Sequence, residues 1–324
     1  MENAMDALKE KLSVILDVIK DPDDVVYLDY PVYYNVGDML IYAGALLLLK
    51  EHGVKLRLQR SVSDFSLEEL RDTVGPNTTI LCQGGGNFGD LYHSHQALRE
   101  SLISAFPDNR IVILPQSVHF ESDENLNKCI ALFRSHDDVF LFARDERSYQ
   151  QFKAMSDNVF MAPDTAHYLY RLLGGVAQAD RQGVLHFSRT DKEKVAAAYP
   201  FEIGEDDTVV DWQDVVTTRD NRLLAWERRL LRLGVKTNSR HIRNLAAYLW
   251  QWHVFQVVKR SARFFSRYET VISSRMHGHI LACLLDQENM VVDNSYGKNS
   301  GYYHAWTKDV DCARLADDAP NANQ

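Results

Sequence analysis

Thr270-Val271-Ile272-Ser273-Ser274-Arg275-Met276-His277-Gly278-His279-Ile280 is the stretch on which the fold turns. Thr270-Val271-Ile272 reads as the end of a buried strand, and Ile280 through Leu285 as an apolar helix. The turn between them places Arg275 and His277 at the N-terminal edge of that helix, where orphan backbone N–H groups and the positive end of the macrodipole gather. Two side chains that can carry positive charge, added to that geometry, describe a site for a small anion such as a phosphate or a carboxylate. The competing reading pairs Arg275 with a structural acid and has His277 cap its own helix.

Working outward, the same strand-to-helix alternation runs along the whole chain. Val25–Leu28, Val54–Leu58, Thr79–Cys82, Ile111–Leu114, Val139–Phe142 and Val159–Met161 are short apolar runs, separated by helical periods such as Met39–Glu51 and Glu146–Lys153. Continuous apolar strands between helices predict an α/β fold with a parallel sheet covered on both faces, whose ligands bind beyond the carboxyl ends of the strands. A second series begins at Gly183 with Val184–Phe187, Thr208–Val210, Thr270–Ile272 and Met290–Val292. Glycine, alanine and polar residues from Gly174 to Gln182 mark a linker, so two domains are expected, at 1–178 and 179–312, with 313–324 as a frayed tail.

Composition narrows the function. A net charge of −9 lacks the basic footprint of a nucleic-acid binder. Cys82, Cys129, Cys283 and Cys312 are scattered without a CxxC pair and read as reduced, buried thiols of a cytoplasmic protein. Met1–Asp21 intersperses charges among its apolar residues, as an amphipathic helix does and a signal peptide does not. The stretch Ile41–Leu49 is too short to span a bilayer.

Gln83-Gly84-Gly85-Gly86-Asn87-Phe88-Gly89-Asp90 contains GxGxxG, yet it follows the third strand, and the next strand ends in Pro115-Gln116-Ser117 where a dinucleotide fold would carry an acid. It reads better as a loop whose floor, Gly85 and Gly86, lets a bulky ligand approach, with Asn87 and Asp90 available to sugar hydroxyls. Asn35 and Asp38 lie at the same end of the sheet and join this acceptor-binding set, although Asp38 also suits the N-cap of Met39–Leu49. Asp90, His93 and His95 lack a further ligand at metal spacing, so no metal is expected.

Eight segments, in order, resemble the successive motifs of the polysaccharide pyruvyl transferase family. They are Asn35-Val36-Gly37-Asp38, Gly84 through Asp90, Pro115-Gln116-Ser117, Ala143-Arg144-Asp145, Pro163-Asp164-Thr165-Ala166, Ser188-Arg189-Thr190-Asp191, Ser274-Arg275-Met276-His277-Gly278 and Tyr296-Gly297-Lys298-Asn299. The resemblance implies two Rossmann-like domains facing a cleft, as in glycosyltransferase-B enzymes, and transfer of the pyruvyl unit of phosphoenolpyruvate onto a sugar as a ketal. It carries donor binding to Arg189, Arg275, Met276, His277 and Gly278, and catalysis to His277, Arg275 and Arg189. Met276 stands where the family often has leucine, a volume-conserving change.

The chemistry suits those residues. Guanidinium forks can grip the carboxylate and phosphate of phosphoenolpyruvate, and His277 has the residue type for proton transfer at neutral pH. Asp164 and His167 are weaker candidates, better suited to capping and to the wall of the cleft. No cofactor is expected beyond the donor substrate. The expected acceptor is a sugar or lipid-linked oligosaccharide met in the cytoplasm. From Arg219 to Tyr268, twelve Lys and Arg stand against two acids, with tryptophan and phenylalanine interleaved. That segment is either an interface helix with its aromatics in the core or a peripheral contact with the inner face of the membrane. A nucleotide-sugar glycosyltransferase of the same architecture and a catalytically silent saccharide-binding module are the alternative functions.

Overall fold

A computed structural model describes residues 3–176, 181–188, 201, 203–205, 207–293 and 297–316. Seven strands form the first sheet: β1 (Val25–Leu28), β2 (Leu56–Arg60), β3 (Thr79–Cys82), β4 (Gly85–Gly89), β5 (Arg110–His119), β6 (Val139–Ala143) and β7 (Asn158–Met161). Their order is β2-β1-β3-β5-β6-β7, with β4 continuing the line of β3 along β5, and every pairing is parallel. The second sheet contains β8 (Val184–Phe187), β9 (Thr208–Val210), β10 (Thr270–Ser273), β11 (Glu288–Val291) and β12 (Ala313–Leu315) in the order β12-β11-β10-β8-β9, again all parallel.

The two-residue period of a strand explains why β1 is apolar throughout. Val25 and Tyr27 point into one core and Val26 and Leu28 into another on the opposite face, so neither side meets water. The first of these cores continues without a break into the second sheet, taking in Leu185, Phe187, Val271 and Val291. The helix Val36–Glu51 lies within it and buries residues around most of its circumference.

Several details correct the sequence reading. The glycine segment is not a loop: Gly85–Gly89 is β4, paired with the second half of β5. Pro115 does not end its strand, since β5 runs on to His119. Proline lacks an N–H to donate, and the ladder to β6 shifts register between Ile113 and Gln116, so the strand accommodates it at an irregularity. Asp38 is not the N-cap of its helix. Asn35 is, accepting a hydrogen bond from the Gly37 N–H at 3.0 Å, and the helix begins three residues earlier than expected. Ala313–Leu315, expected in the frayed tail, pairs with β11, while 317–324 fall outside the described residues. The expected domain boundary also falls outside them, within 177–180.

The basic aromatic segment forms a helical hairpin, Thr218–Lys236 and Arg240–Phe265, and its aromatics divide. Trp250 and Phe265 are in the core, with the Trp250 indole donating to the Pro31 carbonyl, whereas Trp226 and Trp252 face solvent. Among the described residues no helix is long and apolar enough to cross a membrane.

Candidate active site

Both sheets reverse their winding at a point that faces the same pocket. In the first sheet the chain leaves β1 for β2 on one side and returns to β3 on the other; in the second it leaves β8 for β9 and returns to β10. Loops diverge at such switch points and leave a crevice beyond the strand ends. A cavity of about 410 Å³ lies there. Asn35 and Asp38 follow β1, Gly86 and Asn87 follow β3, Trp212 follows β9, and Arg275, Met276 and His277 follow β10.

His277 sits in the first turn of the helix Met276–Leu284. Its Nε2 lies 3.2 Å from Asp164 Oδ2, and its ring packs on the start of the helix Val36–Glu51. Contact that close requires glycine at position 37, because a Cβ there would fall 2.6 Å from His277 Nδ1. Asp164 is buried and caps the 3-10 turn Thr165–Leu169 through the Ala166 N–H. The same carboxylate oxygen accepts from Arg144 Nη1 at 2.5 Å. Burial would raise the Asp164 carboxyl's pKa, but the His277 and Arg144 charges outweigh it and hold it well below the usual carboxylate range. Asp164 is therefore an ionised anchor that orients His277 and neutralises Arg144.

Arg144 continues to the Ser117 hydroxyl through Nε and approaches the pocket over Gly86. A Cβ on Gly86 would lie 3.1 Å from Arg144 Nη2 and 2.8 Å from Lys298 Nζ. The missing side chain thus makes room for two cations from different parts of the chain. Lys298 opens a short helix after Gly297, whose φ of +68° is a left-handed conformation suited to glycine.

Arg275 lines the pocket, but its Nε and Nη2 both bond the buried carboxylate of Asp211, Nη2 at 2.7 Å. The structural-acid pairing set out from sequence is therefore real, and that face of the fork is engaged. Asp211 in turn starts the helix Trp212–Val215 through a capping box with Asp214.

The acceptor-side residues divide similarly. Asn87 Oδ1 accepts from Arg99 and Gln116, at 2.6 and 3.0 Å, which leaves its amide N–H groups as what it offers the cavity. Burial raises the pKa of the Asp38 carboxyl despite the nearby His277. Asp90 does not line the cavity: its oxygens bind the Glu121 and Ser122 N–H groups and the Asn125 amide, fixing the approach to the helix Asp123–Arg134. Gly85 and Gly278 are not in the lining either. Gly278 packs on Ser273 and Phe187, and Gly85 has a φ of +129°. His95 reaches the pocket while its Nδ1 bonds Asp29 at 2.6 Å, so it shares no ligand sphere with Asp90. His167 is buried behind the site, stacked on Tyr302, and burial pushes its imidazole down to about 4. Arg189 lies outside the described residues.

Sequence reasoning passed over Tyr33, Tyr92, Trp212 and Asp211, for which only chain folding supplies a signal. Arg144, Lys298 and Asn299 stood within recognised motifs without being singled out as site residues.

The fold and the site define a two-sheet parallel α/β protein with a polar pocket that gathers cations around a histidine–aspartate pair. The family model for polysaccharide pyruvyl transferase matches residues 35–296, and the chain belongs to that family, whose reaction class is pyruvyl transfer. A Bacillus subtilis (strain 168) protein described as "Putative pyruvyl transferase EpsO" is 39% identical over 317 residues, covering 97% of this chain and 95% of its own. "Pyruvyl transferase 1" of Schizosaccharomyces pombe is 26% identical, with 87% and 69% of the two chains covered. In fold, the chain resembles a crystal structure of the Klebsiella pneumoniae protein KP1_0663, with a TM-score of 0.62 at 19% identity over 97% of this chain and 99% of that one.

Proposed function

We propose that this protein transfers the pyruvyl group of phosphoenolpyruvate onto a sugar of an exopolysaccharide or capsule precursor in the cytoplasm, releasing phosphate. The reading treats the two sheets as glycosyltransferase-B-like domains, with the donor on the side of residues 179–312 and the acceptor on the side of 1–178. The observation that carries it is the convergence, in one pocket, of Arg144, Lys298 and Arg275 with a histidine anchored on Asp164. Those cations suit a ligand bearing a phosphate and a carboxylate.

In this mechanism the His277 imidazolium gives its proton to the methylene carbon of the enolpyruvyl group, leaving cationic character at C2. One acceptor hydroxyl attacks C2 and surrenders its proton to Asp38, whose raised pKa suits a base. A second hydroxyl then displaces phosphate at the same carbon, closing the ketal, and its proton leaves with the phosphate. Asp164 keeps His277 oriented. Arg144 and Lys298 stabilise the departing phosphate, and Arg275, held by Asp211, shapes the donor side; Arg189 keeps the donor-binding role that the family resemblance gives it. Asn35 and the Asn87 amide face the acceptor.

The test is phosphate release from phosphoenolpyruvate against a panel of oligosaccharide acceptors, with EDTA present because the chain supplies the positive charge. Release that depends on acceptor and yields a pyruvate ketal is expected. Turnover with nucleotide sugars instead would transfer the site to glycosyl chemistry, and sugar binding without release would make it a binding module.

A further inference from the structure

We propose that the hairpin Thr218–Lys236 and Arg240–Phe265 is a docking face for an anionic lipid surface. The charge asymmetry of this segment becomes sharper once folded. Its two acids, Asp220 and Glu227, are 2% and 4% exposed, and Asp220 is taken up by Thr217 and Arg260. Arg222, Arg229, Arg232, Lys236 and Arg240 are exposed, so the hairpin's outward charge is cationic although the chain as a whole carries −9.

Large apolar side chains are exposed on the same two helices. Leu245, Tyr248, Leu249 and Trp252 recur at the spacing of one helical stripe, with Tyr248 67% and Trp252 57% exposed. Trp226, 61% exposed on the partner helix, lies against the Arg229 guanidinium at 5.5 Å. Trp250, on the same helix as Trp252, is buried, and a step of two residues turns Trp252 to the opposite, outward side.

Indole and phenol rings combine an apolar body with a polar edge and settle at the headgroup level of a bilayer, where arginine and lysine meet lipid phosphates. The helices are too polar to cross a membrane, which fits a helix pair that lies on one. A second copy of the chain is the poorer occupant. A two-fold contact lays a face on itself, and here that would oppose cations to cations with no exposed acid on either helix to answer them. Docking of this kind needs no pyruvyl chemistry and stands apart from the donor assignment.

The full chain is sedimented with phosphatidylcholine vesicles and with vesicles that also contain phosphatidylglycerol, at low and high salt. Binding only to the anionic vesicles, falling steeply as salt rises, is expected. Arg229→Gln with Arg232→Gln should lower partitioning by roughly 25-fold. Trp226→Ser with Trp252→Ser should abolish it while melting and phosphate release in free solution stay unchanged. Absence of binding at low salt, or equal binding by the variants, overturns the proposal. A concentration-dependent dimer without vesicles, lost in the tryptophan variants, would assign the face to a second copy.

Discussion

At the scale of single residues, Asp164 carries more than its capping position suggested. One buried carboxylate serves a helix start, a buried arginine and the proposed proton donor. His277 and Asp164 should therefore fail differently. His277→Ala is expected to keep the fold and lower turnover by about 10² to 10⁴. Asp164→Asn leaves Arg144 without its counter-charge in a buried site and should also cost about 3–5 kcal/mol of stability. Turnover and urea unfolding measured on both variants check this; an unfolded His277→Ala, or an Asp164→Asn as stable as the parent, contradicts it. Arg275 and His277 were legible from a strand-to-helix turn. Asp164 as the partner of His277 was not, because 113 residues separate them and no local pattern joins them.

At the scale of elements, the site is set by how closely two helix N-termini approach. Gly37 in the helix Val36–Glu51 allows the His277 ring to pack against it, and alanine there would force the ring away from Asp164. Alanine is also the better helix former, by roughly 0.5–1 kcal/mol, so Gly37→Ala should leave thermal stability nearly unchanged. Turnover should still fall by roughly 10², the cost of a misplaced catalytic group. An active Gly37→Ala with its histidine in place would show that the contact is not needed. Most strands and helices were visible in the sequence because burial on both faces leaves continuous apolar runs. The exceptions have local causes. Glycines at 85, 86 and 89 carry no strand signal although β4 pairs there, and a strand that survives Pro115 hides behind the residue that usually ends one.

At the scale of the whole molecule, the hairpin is joined to the first sheet's side of the molecule through a polar cluster in which Asp64, Arg243 and Glu227 are buried and Glu69 partly so. Burial, with Asp64 nearby, pushes the Glu227 carboxyl up from 4.5 to about 8. The folded chain thus retains a proton that the unfolded chain releases above about pH 4.5. This group's favourable contribution is complete below that pH and is lost as pH rises through about 8. Relative to the parent, Glu227→Gln should gain stability as pH rises from 5 to 8, by at most about 1.4 kcal/mol per pH unit. Urea unfolding at intervals across that range measures it, and parallel curves for parent and variant would refute it.

The sequence by itself determined the parallel α/β class, the strand-to-helix turn that carries Arg275 and His277, and the family. These follow from near neighbours in the chain: apolar period, turn chemistry and ordered motifs. Tertiary structure alone decided that Arg275 is held by Asp211, that Arg144 and Lys298 meet over Gly86, and that Asp90 turns away to a loop. It also decided which tryptophans of the hairpin reach solvent. Distance and burial are properties of the packed chain, and residues far apart in sequence acquire them only when the two sheets share one core.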